Sequence, residues 1–346
     1  MGIGALGNGH RAMGIGQWVM GNGHWTLDIG HWTLGKVAIS PFPTPYSPLP
    51  TPHFYLTNII YRYMMFLYMM LLARSEKTMQ IRLAVISNAG GSGKTTLSVH
   101  LAYELAKRSF NVALMDLDPQ GSLTLFCGLS PPEPEHTLAA VLRDNFDGAW
   151  PLTPCWREKT DKVVLCQGGM VLTQTADELV LHKRGAYLLS DRLTDYPLDH
   201  DLIIFDCPAT LGPLPLMALA ASTHIVIPVQ LEPKSIQGAA HLLEWYYYHC
   251  KHLRLKPEPE ILGFVPNQND SRRAAHRQML SALPSQLEQM NIRAFPAIRD
   301  STEFVNASGQ GLPLHLYRPS HAAKDDFKDI ASYIAGLIRN KKKTTE

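Results

Sequence analysis

The chain has 346 residues, of which 45% are hydrophobic and 18% charged, a balance typical of a globular protein with an apolar core. The formal net charge of +2 is too small for the chain to bind nucleic acid through its overall charge. Such binding would need a local basic patch. The five cysteines show no C-x-x-C pair, which favours reduced thiols in a cytoplasmic protein.

Residues 1–78 differ in composition from the rest of the chain. Short repeats and a proline-rich run make up most of this segment: GNGH at 7–10 and 21–24, GHWTL at 23–27 and 30–34, and SPFPTPYSPLPTP at 40–52. Sequences of this kind do not build a packed core. We therefore expect the segment to be disordered or extended.

An apolar run at 54–73 ends this segment, and Asn58 and Arg62 interrupt it. Its uncharged part after Arg62 is about half the length of a membrane-spanning helix, which disfavours a membrane anchor. Three interpretations stay open for the whole extension: a membrane anchor, a functional disordered segment, or translated upstream sequence. The third is favoured because Met79 opens a regular strand pattern, and we place the folded domain at 79–346.

The stretch LAVISNAGGSGKTT at 83–96 predicts a strand, a glycine-rich turn and the start of a helix. At such a junction, backbone N–H groups and the helix N-terminus bind phosphate. We expect Lys94 to contact the β- and γ-phosphates and Thr95 to ligate Mg²⁺. A tight turn without a ligand is the alternative, which the sequence GKTT disfavours. The other predicted nucleotide-binding residues are Gly90, Gly91, Ser92, Gly93 and Thr96.

Asn88 stands where the common pattern G-x-x-x-x-G-K-[ST] has its first glycine. The turn instead resembles the K-G-G-x-G-K-T-T P-loop of the ParA/MinD family of partition and positioning ATPases. All the specified residues are present except the first lysine, which Ala89 replaces. The resemblance implies a P-loop NTPase fold: a single α/β domain with a doubly wound, mostly parallel sheet. It also implies ATP and Mg²⁺ as cofactors.

Two further apolar strands end in carboxylates. NVALMDL at 111–117 leads into the motif D-L-D-P-Q-G, which contains Asp116 and Asp118, and LIIFD at 202–206 ends in Asp206. Ligands of α/β proteins bind at this end of the strands. An apolar run followed by Asp is the Walker B pattern, which predicts that Asp206 holds Mg²⁺. The resemblance implies that Asp118 positions the attacking water and that Asp116 supports the site.

The region from 122 to 200 carries no assigned chemistry. Its patterns predict a short helix at 138–142, a strand at 162–166 and one helix over 177–193. A strand at 223–229 and a helix from about residue 236 follow. That helix carries the aromatic residues 245–248, which we expect to be divided between the core and a partner surface.

The last third of the chain begins with a strand at 261–265, which leads to Asn267 and a helix starting at Ser271. The resemblance implies that Asn267 lies against adenine and that residues 301–317 close over the base. An apolar face at 327–337 predicts a final helix packed on the sheet. The family binds DNA nonspecifically through basic residues in this region, and ordinary surface arginines are the alternative. The candidates are Arg272, Arg273, Arg277, Arg293 and Arg299.

The resemblance therefore predicts a ParA-like ATPase that partitions plasmid or chromosomal DNA in the cytoplasm, in association with the nucleoid. MgATP would favour a homodimer that binds DNA nonspecifically, and hydrolysis stimulated by a ParB-like adaptor would reset it. In the family, the first lysine of the P-loop contacts the phosphates of the partner subunit. Because Ala89 lacks that charge, a nucleotide-dependent regulatory module with little turnover is the alternative.

Two other enzyme classes of the P-loop superfamily stay open at this point. An Fe–S reductase would need cysteines that bridge two subunits near the second switch, where Cys207 is the candidate. An amide-forming synthetase would need a substrate pocket, which no motif in the sequence locates.

Overall fold

The computed structural model describes the backbone of residues 17–21, 24–28 and 80–345. The chain divides into two units, residues 1–75 and 76–346. In the first unit, strands β1 (Gln17–Gly21) and β2 (His24–Asp28) pair antiparallel. The other predictions for 1–78, which include disorder, the apolar run and a start at Met79, lie outside the described residues.

The second unit alternates strands with helices. Its strands are β3 (Ile81–Val85), β4 (Val112–Asp116), β5 (Leu152–Pro154), β6 (Val163–Cys166), β7 (Leu202–Asp206), β8 (His224–Gln230) and β9 (Glu260–Asn267). Its first α-helices are α1 (Lys94–Ala106), α2 (Ser122–Phe126), α3 (Leu138–Val141), α4 (Val171–Leu181), α5 (Leu188–Asp195) and α6 (Pro213–Ala221). The later ones are α7 (Pro233–His252), α8 (Ala274–Glu288), α9 (Thr302–Gly309), α10 (Leu314–Tyr317) and α11 (Lys328–Thr345). Three 3₁₀ turns lie at Pro134–His136, Gly185–Tyr187 and Ala322–Phe327.

The seven strands from β3 to β9 form one sheet in the order β5-β6-β4-β7-β3-β8-β9. All neighbours in this sheet pair parallel except β5, which runs antiparallel to β6 at the edge. The predicted doubly wound α/β domain with a mostly parallel sheet is therefore confirmed. The register sets Asp116 and Val85 on either side of Asp206, so the turn after β3 begins next to Asp206 and one strand away from Asp116.

Helices cover both faces of the sheet. Alternate residues of each strand point to opposite faces, so each strand contributes side chains to two cores. Ala84 and Phe205 belong to the core under α4 to α8, whereas Leu83 and Ile204 belong to the core under α1 and α11. This double burial explains why the strands read as continuous apolar runs. Within the described part of the chain, no helix is both long and apolar enough to span a membrane.

The structure corrects two predicted helix boundaries. The single helix predicted over 177–193 is wrong, because α4 ends at Leu181 and α5 begins at Leu188. The chain turns back on α4 at Gly185, where a Cβ would lie 2.1 Å from the carbonyl oxygen of Leu179. The helix after β9 begins later than its predicted start at Ser271. A turn precedes it, in which the Asp270 carboxylate accepts the backbone N–H of the residue two positions on.

Candidate nucleotide site

The glycine-rich turn between β3 and α1 has the backbone of an anion-binding loop. Gly91 and Gly93 adopt positive φ angles of 71° and 84°, a region that residues with a Cβ rarely enter. At Gly93 a side chain is also excluded by contact, since a Cβ would lie 1.9 Å from Nδ2 of Asn267. Helix α1 begins at the next residue. Such a turn, followed at once by a helix N-terminus, is typical of a phosphate-binding nest.

Lys94, the first residue of α1, places a buried positive charge beside this turn. Its Nζ donates hydrogen bonds to Ser87 Oγ and to the Ala89 carbonyl oxygen, each at 3.2 Å. Burial lowers the pKa of Lys94, while the carboxylates of Asp206 and Asp118 oppose that shift. The hydrogen-bond acceptors of the ammonium group are neutral. An anion at the turn would complement its charge, so Lys94 fits a phosphate group.

Asp206, at the end of β7, is fully buried next to the start of α1. Its Oδ2 accepts the Thr95 hydroxyl at 2.7 Å, and its Oδ1 accepts the Ser98 hydroxyl at 2.9 Å. Burial raises the pKa of Asp206 to about 6, against the two hydrogen bonds, which lower it. A carboxylate and a hydroxyl side by side are the hard oxygen ligands that Mg²⁺ takes in nucleotide sites, where phosphates and water complete its shell. Thr95 and Asp206 therefore fit the predicted metal site.

The described residues contain no group of three or more His, Cys, Asp or Glu side chains that could hold a metal ion on its own.

The two carboxylates of the D-L-D-P-Q-G motif have different surroundings. Asp116 is fully buried and accepts the backbone N–H groups of Asp118 at 3.0 Å and Leu123 at 3.1 Å. Burial and the neighbouring Asp206 raise the pKa of Asp116 well above its usual range. Asp118 is half-buried, and only its Oδ1 accepts a hydrogen bond from a described residue, the N–H of Gln120 at 2.9 Å. Asp116 therefore holds the loop, and Asp118 keeps a carboxylate oxygen available.

Asn267, at the end of β9, supports the turn from the neighbouring strand. Its Nδ2 donates to the Ser92 carbonyl oxygen at 2.8 Å, and its Oδ1 accepts the N–H of Gln268 at 2.9 Å. The side chain is buried and fixes the position of the turn. Its contact with adenine stays a prediction.

Two glutamines at the same edge were not singled out in the sequence. Gln230 Nε2 and Gln268 Nε2 both donate to the carbonyl oxygen of Gly91, at 3.1 and 2.8 Å. Each lies at the end of an apolar strand, as Asp206 does, so the rule that identified the aspartates also applies to them. Ser98 was missed as well, although it lies one helical turn after Lys94.

The structure thus brings the predicted nucleotide-binding set to one edge of the sheet. We call this set the nucleotide edge: Gly90, Gly91, Ser92, Gly93, Lys94, Thr95, Thr96, Asp116, Asp118, Asp206 and Asn267. Within it, Thr96 is half-buried and its carbonyl oxygen accepts the Nδ1–H of His100 at 2.7 Å. His100 Nε2 in turn accepts the N–H of Leu314 at 3.0 Å.

The segment predicted to close over the base is attached to α1 by a buried polar cluster. His315 Nε2 lies 3.1 Å from Oε2 of Glu104, and Lys107 and Arg108 each contact Glu104 at 3.2 Å. Burial raises the pKa of Glu104, but the contacts of its carboxylate with His315 and Lys107 outweigh burial and lower the pKa to about 2. These contacts join 314–317 to the helix that starts the nucleotide site.

The candidate DNA-binding arginines are exposed and mostly engaged with neighbouring groups. Arg272 forms a bidentate pair with Asp270 at 2.9 and 3.1 Å, and Arg299 pairs with Asp326 at 2.8 and 2.6 Å. The guanidinium of Arg293 lies 4.5 Å from the ring centroid of a tyrosine. We call Arg272, Arg273, Arg277, Arg293 and Arg299 the arginine surface.

All five cysteines are free and buried. Cys207 is 1% exposed, and its thiol donates to the carbonyl oxygen of Phe205 at 3.8 Å. Burial and the adjacent Asp206 raise the pKa of Cys207 well above its usual range. A cluster ligand shared between subunits needs an accessible thiolate, so this geometry disfavours the reductase alternative.

Comparisons with known proteins show the family to which the chain is similar. The protein family described as "AAA domain" matches residues 80–255, just over half of the chain. The chromosome-partitioning ATPase Soj of Thermus thermophilus is 31% identical over 264 residues, which cover 75% of this chain and 96% of that protein. The sporulation initiation inhibitor protein Soj of Bacillus subtilis is 29% identical over 253 residues, covering 73% of this chain and 97% of that protein.

Solved structures show the same fold. The complex of McdA(D38A) from Cyanothece with ATP matches with a TM-score of 0.66 and 23% identity, covering 74% of this chain and 96% of that one. Two other similar structures contain a nucleotide. They are cobyrinic acid a,c-diamide synthase from Mycobacterium smegmatis with an ATP analogue and magnesium, and the septum site-determining protein MinD from Pyrococcus horikoshii with Mg-ADP. These two structures contain adenine nucleotides and magnesium. The nucleotide edge has groups that fit both ligands: Lys94 fits a phosphate group, and Thr95 and Asp206 fit magnesium.

Proposed function

Because the chain belongs to the ParA/MinD-type family of partition ATPases, we propose that it hydrolyses ATP to drive plasmid or chromosome partitioning. ATP and Mg²⁺ are the cofactors of this family. The observation that carries the proposal is the hydrogen bond between Thr95 and Asp206, placed beside the buried ammonium group of Lys94. A ligand group for magnesium and a cation for phosphate thus meet at one glycine-rich turn.

Each residue of the nucleotide edge has a role in this proposal. The turn and Lys94 bind the phosphates, and Thr95 and Asp206 hold the metal ion. Bound Mg²⁺ supplies positive charge that neutralises the phosphate oxygens. Asp118, with one carboxylate oxygen available, orients the attacking water, and Asp116 keeps the loop of Asp118 in place.

The proposed cycle couples nucleotide state to assembly. The ATP-bound chain forms a homodimer that binds DNA nonspecifically through the arginine surface, and an adaptor protein of the ParB type stimulates hydrolysis. The place of action is the cytoplasm, on the nucleoid. This scheme is supported by the exposed guanidinium of Arg277, which donates to two backbone carbonyl oxygens, and by the partition function named for the relative from Thermus thermophilus.

The test is a turnover assay on the full chain with and without nonspecific DNA, combined with sedimentation in a non-hydrolysable ATP analogue. We expect magnesium-dependent ATP hydrolysis that DNA changes, and a dimer that forms with the analogue but not with ADP. Lys94→Ala is the control for contaminating ATPase activity. Failure of the wild-type chain to bind MgATP would contradict the proposal.

One observation supports a second candidate function. Ala89 has only a methyl group at the position of the first P-loop lysine in the family, so the chain lacks a charge there. A nucleotide-dependent regulatory module would bind MgATP as tightly as an active ATPase and would turn over no faster than Lys94→Ala. The same assay therefore separates the two candidates.

A further inference from the structure

An open cleft lies beside the glycine-rich turn, on the side of Ala89. Its volume is about 470 Å³, and it separates the first part of the turn from the N-terminal half of α7. We call it the Ala89 cleft. Its lining residues are Asn88, Ala89, Gly90, Gln230, Glu232, Lys234, Ser235, Gln237, Gly238 and His241.

Lys234 is the one lysine or arginine that lines this cleft. Its side chain is exposed, and among the described residues none accepts a hydrogen bond from its Nζ or pairs with it, although Glu232 lines the same cleft. Lys94 differs on both points, since it is buried and bound to the turn. The ammonium group of Lys234 is therefore available to an anion that approaches from outside.

The position of Lys234 relative to Ala89 is fixed by its neighbours on α7. The Ser235 hydroxyl donates to Gln230 Oε1 at 3.2 Å, and Gln230 Nε2 donates to the Gly91 carbonyl oxygen at 3.1 Å. One turn further along α7, Gly238 approaches the turn so closely that a Cβ would lie 3.0 Å from the Asn88 carbonyl oxygen. These contacts hold the start of α7 against the same turn that carries Ala89.

The cleft and the nucleotide edge of one subunit meet at Gly90, which belongs to both. Lys94, Thr95 and Asp206, which form the phosphate and metal site, are absent from the lining of the cleft. Lys234 is therefore exposed and lies outside the phosphate and metal ligands of its own subunit, where a phosphate group carried by another molecule can approach it.

We propose that Lys234 supplies the cation that Ala89 lacks, and that in the ATP-bound dimer it contacts the phosphates held by a second copy of the chain. This inference rests on the proposed function and specifies its dimer contact. An ammonium–phosphate contact at a partly desolvated interface is a charge-assisted hydrogen bond, so it favours the dimer with ATP bound over the dimer with ADP.

The first experiment compares Lys234→Ala with Lys251→Ala, a matched variant of another exposed lysine on α7. Sedimentation in a non-hydrolysable ATP analogue should show a dimer at least tenfold weaker for Lys234→Ala, and a wild-type dimer for Lys251→Ala. Because Lys234 makes no contact that the fold depends on, melting temperature and ATP affinity by calorimetry should stay at wild-type values. Wild-type dimerisation of Lys234→Ala would overturn the inference while leaving the proposed function intact.

Two further variants separate a role in dimerisation from a structural one. Ala89→Lys in the Lys234→Ala background should restore dimer affinity to within about threefold of wild type, because the charge returns at the neighbouring position. Mixing Lys234→Ala with Asp118→Ala should give more turnover than either variant alone. In the mixed dimer, the Lys234→Ala subunit keeps Asp118 and receives Lys234 from its partner.

The outcomes are distinct. No rescue by Ala89→Lys, or no gain on mixing, would overturn a contact made across the dimer. A wild-type chain that stays monomeric with the ATP analogue would overturn both this inference and the dimer of the proposed function.

Discussion

The nucleotide edge and the arginine surface carry charge in opposite ways. At the nucleotide edge, Lys94, Asp116 and Asp206 are buried and are held by hydroxyl groups, carbonyl oxygens or backbone N–H groups. At the arginine surface, Arg272 and Arg299 are exposed and already form bidentate pairs with carboxylates. Burying a charge without a counter-charge is costly, whereas an exposed pair contributes little to stability. The first arrangement places buried charges where a phosphate and a metal ion can contact them, whereas the charges of the second are already paired.

Two carboxylates illustrate the same contrast at equal acidity. Glu104 and Asp270 both have a pKa lowered to about 2. For Glu104, burial raises the pKa, and the contacts of the carboxylate with His315 and Lys107 outweigh that effect. For Asp270, whose partner Arg272 is 89% exposed, hydrogen bonds from that arginine are the largest influence and lower the pKa. The two pKa values are thus lowered to a similar level by contacts in different surroundings.

The largest effect that the comparison predicts is for Lys94→Ala. The variant removes the buried ammonium group that faces the phosphates, so we expect at least a hundredfold loss of MgATP affinity in a folded protein. Calorimetry measures the affinity, and Lys251→Ala serves as the control. Wild-type MgATP affinity in a folded Lys94→Ala protein would contradict the contrast between the two regions. It would show that the buried ammonium group of Lys94 does not contact the phosphates.

Asp118→Ala tests the accessible carboxylate of the nucleotide edge. We expect MgATP binding to persist and the turnover rate to fall by about 10²–10⁴, the usual contribution of a group that orients or deprotonates a nucleophile. Steady-state turnover and nucleotide affinity are measured on the same preparation. Turnover at the wild-type rate would assign water positioning to a different group.

Glu104→Gln and Asp270→Asn sharpen the contrast between burial and exposure. Because the folded pKa of Glu104 lies below the unfolded value, the carboxylate adds stability above about pH 4.5, and this stability is lost as the pH falls towards about 2. We expect Glu104→Gln to lower the free energy of unfolding by about 2 kcal/mol at pH 7, with the difference shrinking through that window. Asp270→Asn should lower the free energy of unfolding by less, because solvent around the exposed Arg272 and Arg273 screens the ion pairs of Asp270. Urea unfolding at pH 7 and pH 3 measures both, and equal losses would contradict the contrast.

The smallest effects are expected at the arginine surface. Arg272→Ala and Arg277→Ala should each weaken nonspecific DNA binding a few-fold, and each should lower the slope of log affinity against log salt by about 1. Arg184→Ala is a matched control, because Arg184 is also exposed and paired with an aspartate. Fluorescence anisotropy at several salt concentrations gives both quantities. An unchanged slope in both test variants would show that the positive charges of this surface do not contact phosphates.

The sequence was sufficient where local pattern and chemistry coincide. Apolar strands that end in Asp116 and Asp206, and the glycine-rich turn before Lys94, follow from spacing alone, and the parallel sheet brings them together. The hydrogen bonds that Gln230, Gln268 and Asn267 make to the turn depend on the order of β3, β8 and β9 in the sheet, which no local pattern specifies. The break between α4 and α5 was missed for a similar reason, since the close contact of Gly185 with α4 is tertiary.

Buried cysteines give this protein a practical property. Because every thiol of the chain is enclosed in the core, a maleimide reagent should leave the folded wild-type protein unmodified. A single cysteine introduced at an exposed position would then take up a fluorophore selectively. Gln237 is exposed and lines the Ala89 cleft, so a dye attached to Gln237→Cys would report in real time whether a second molecule closes over that cleft.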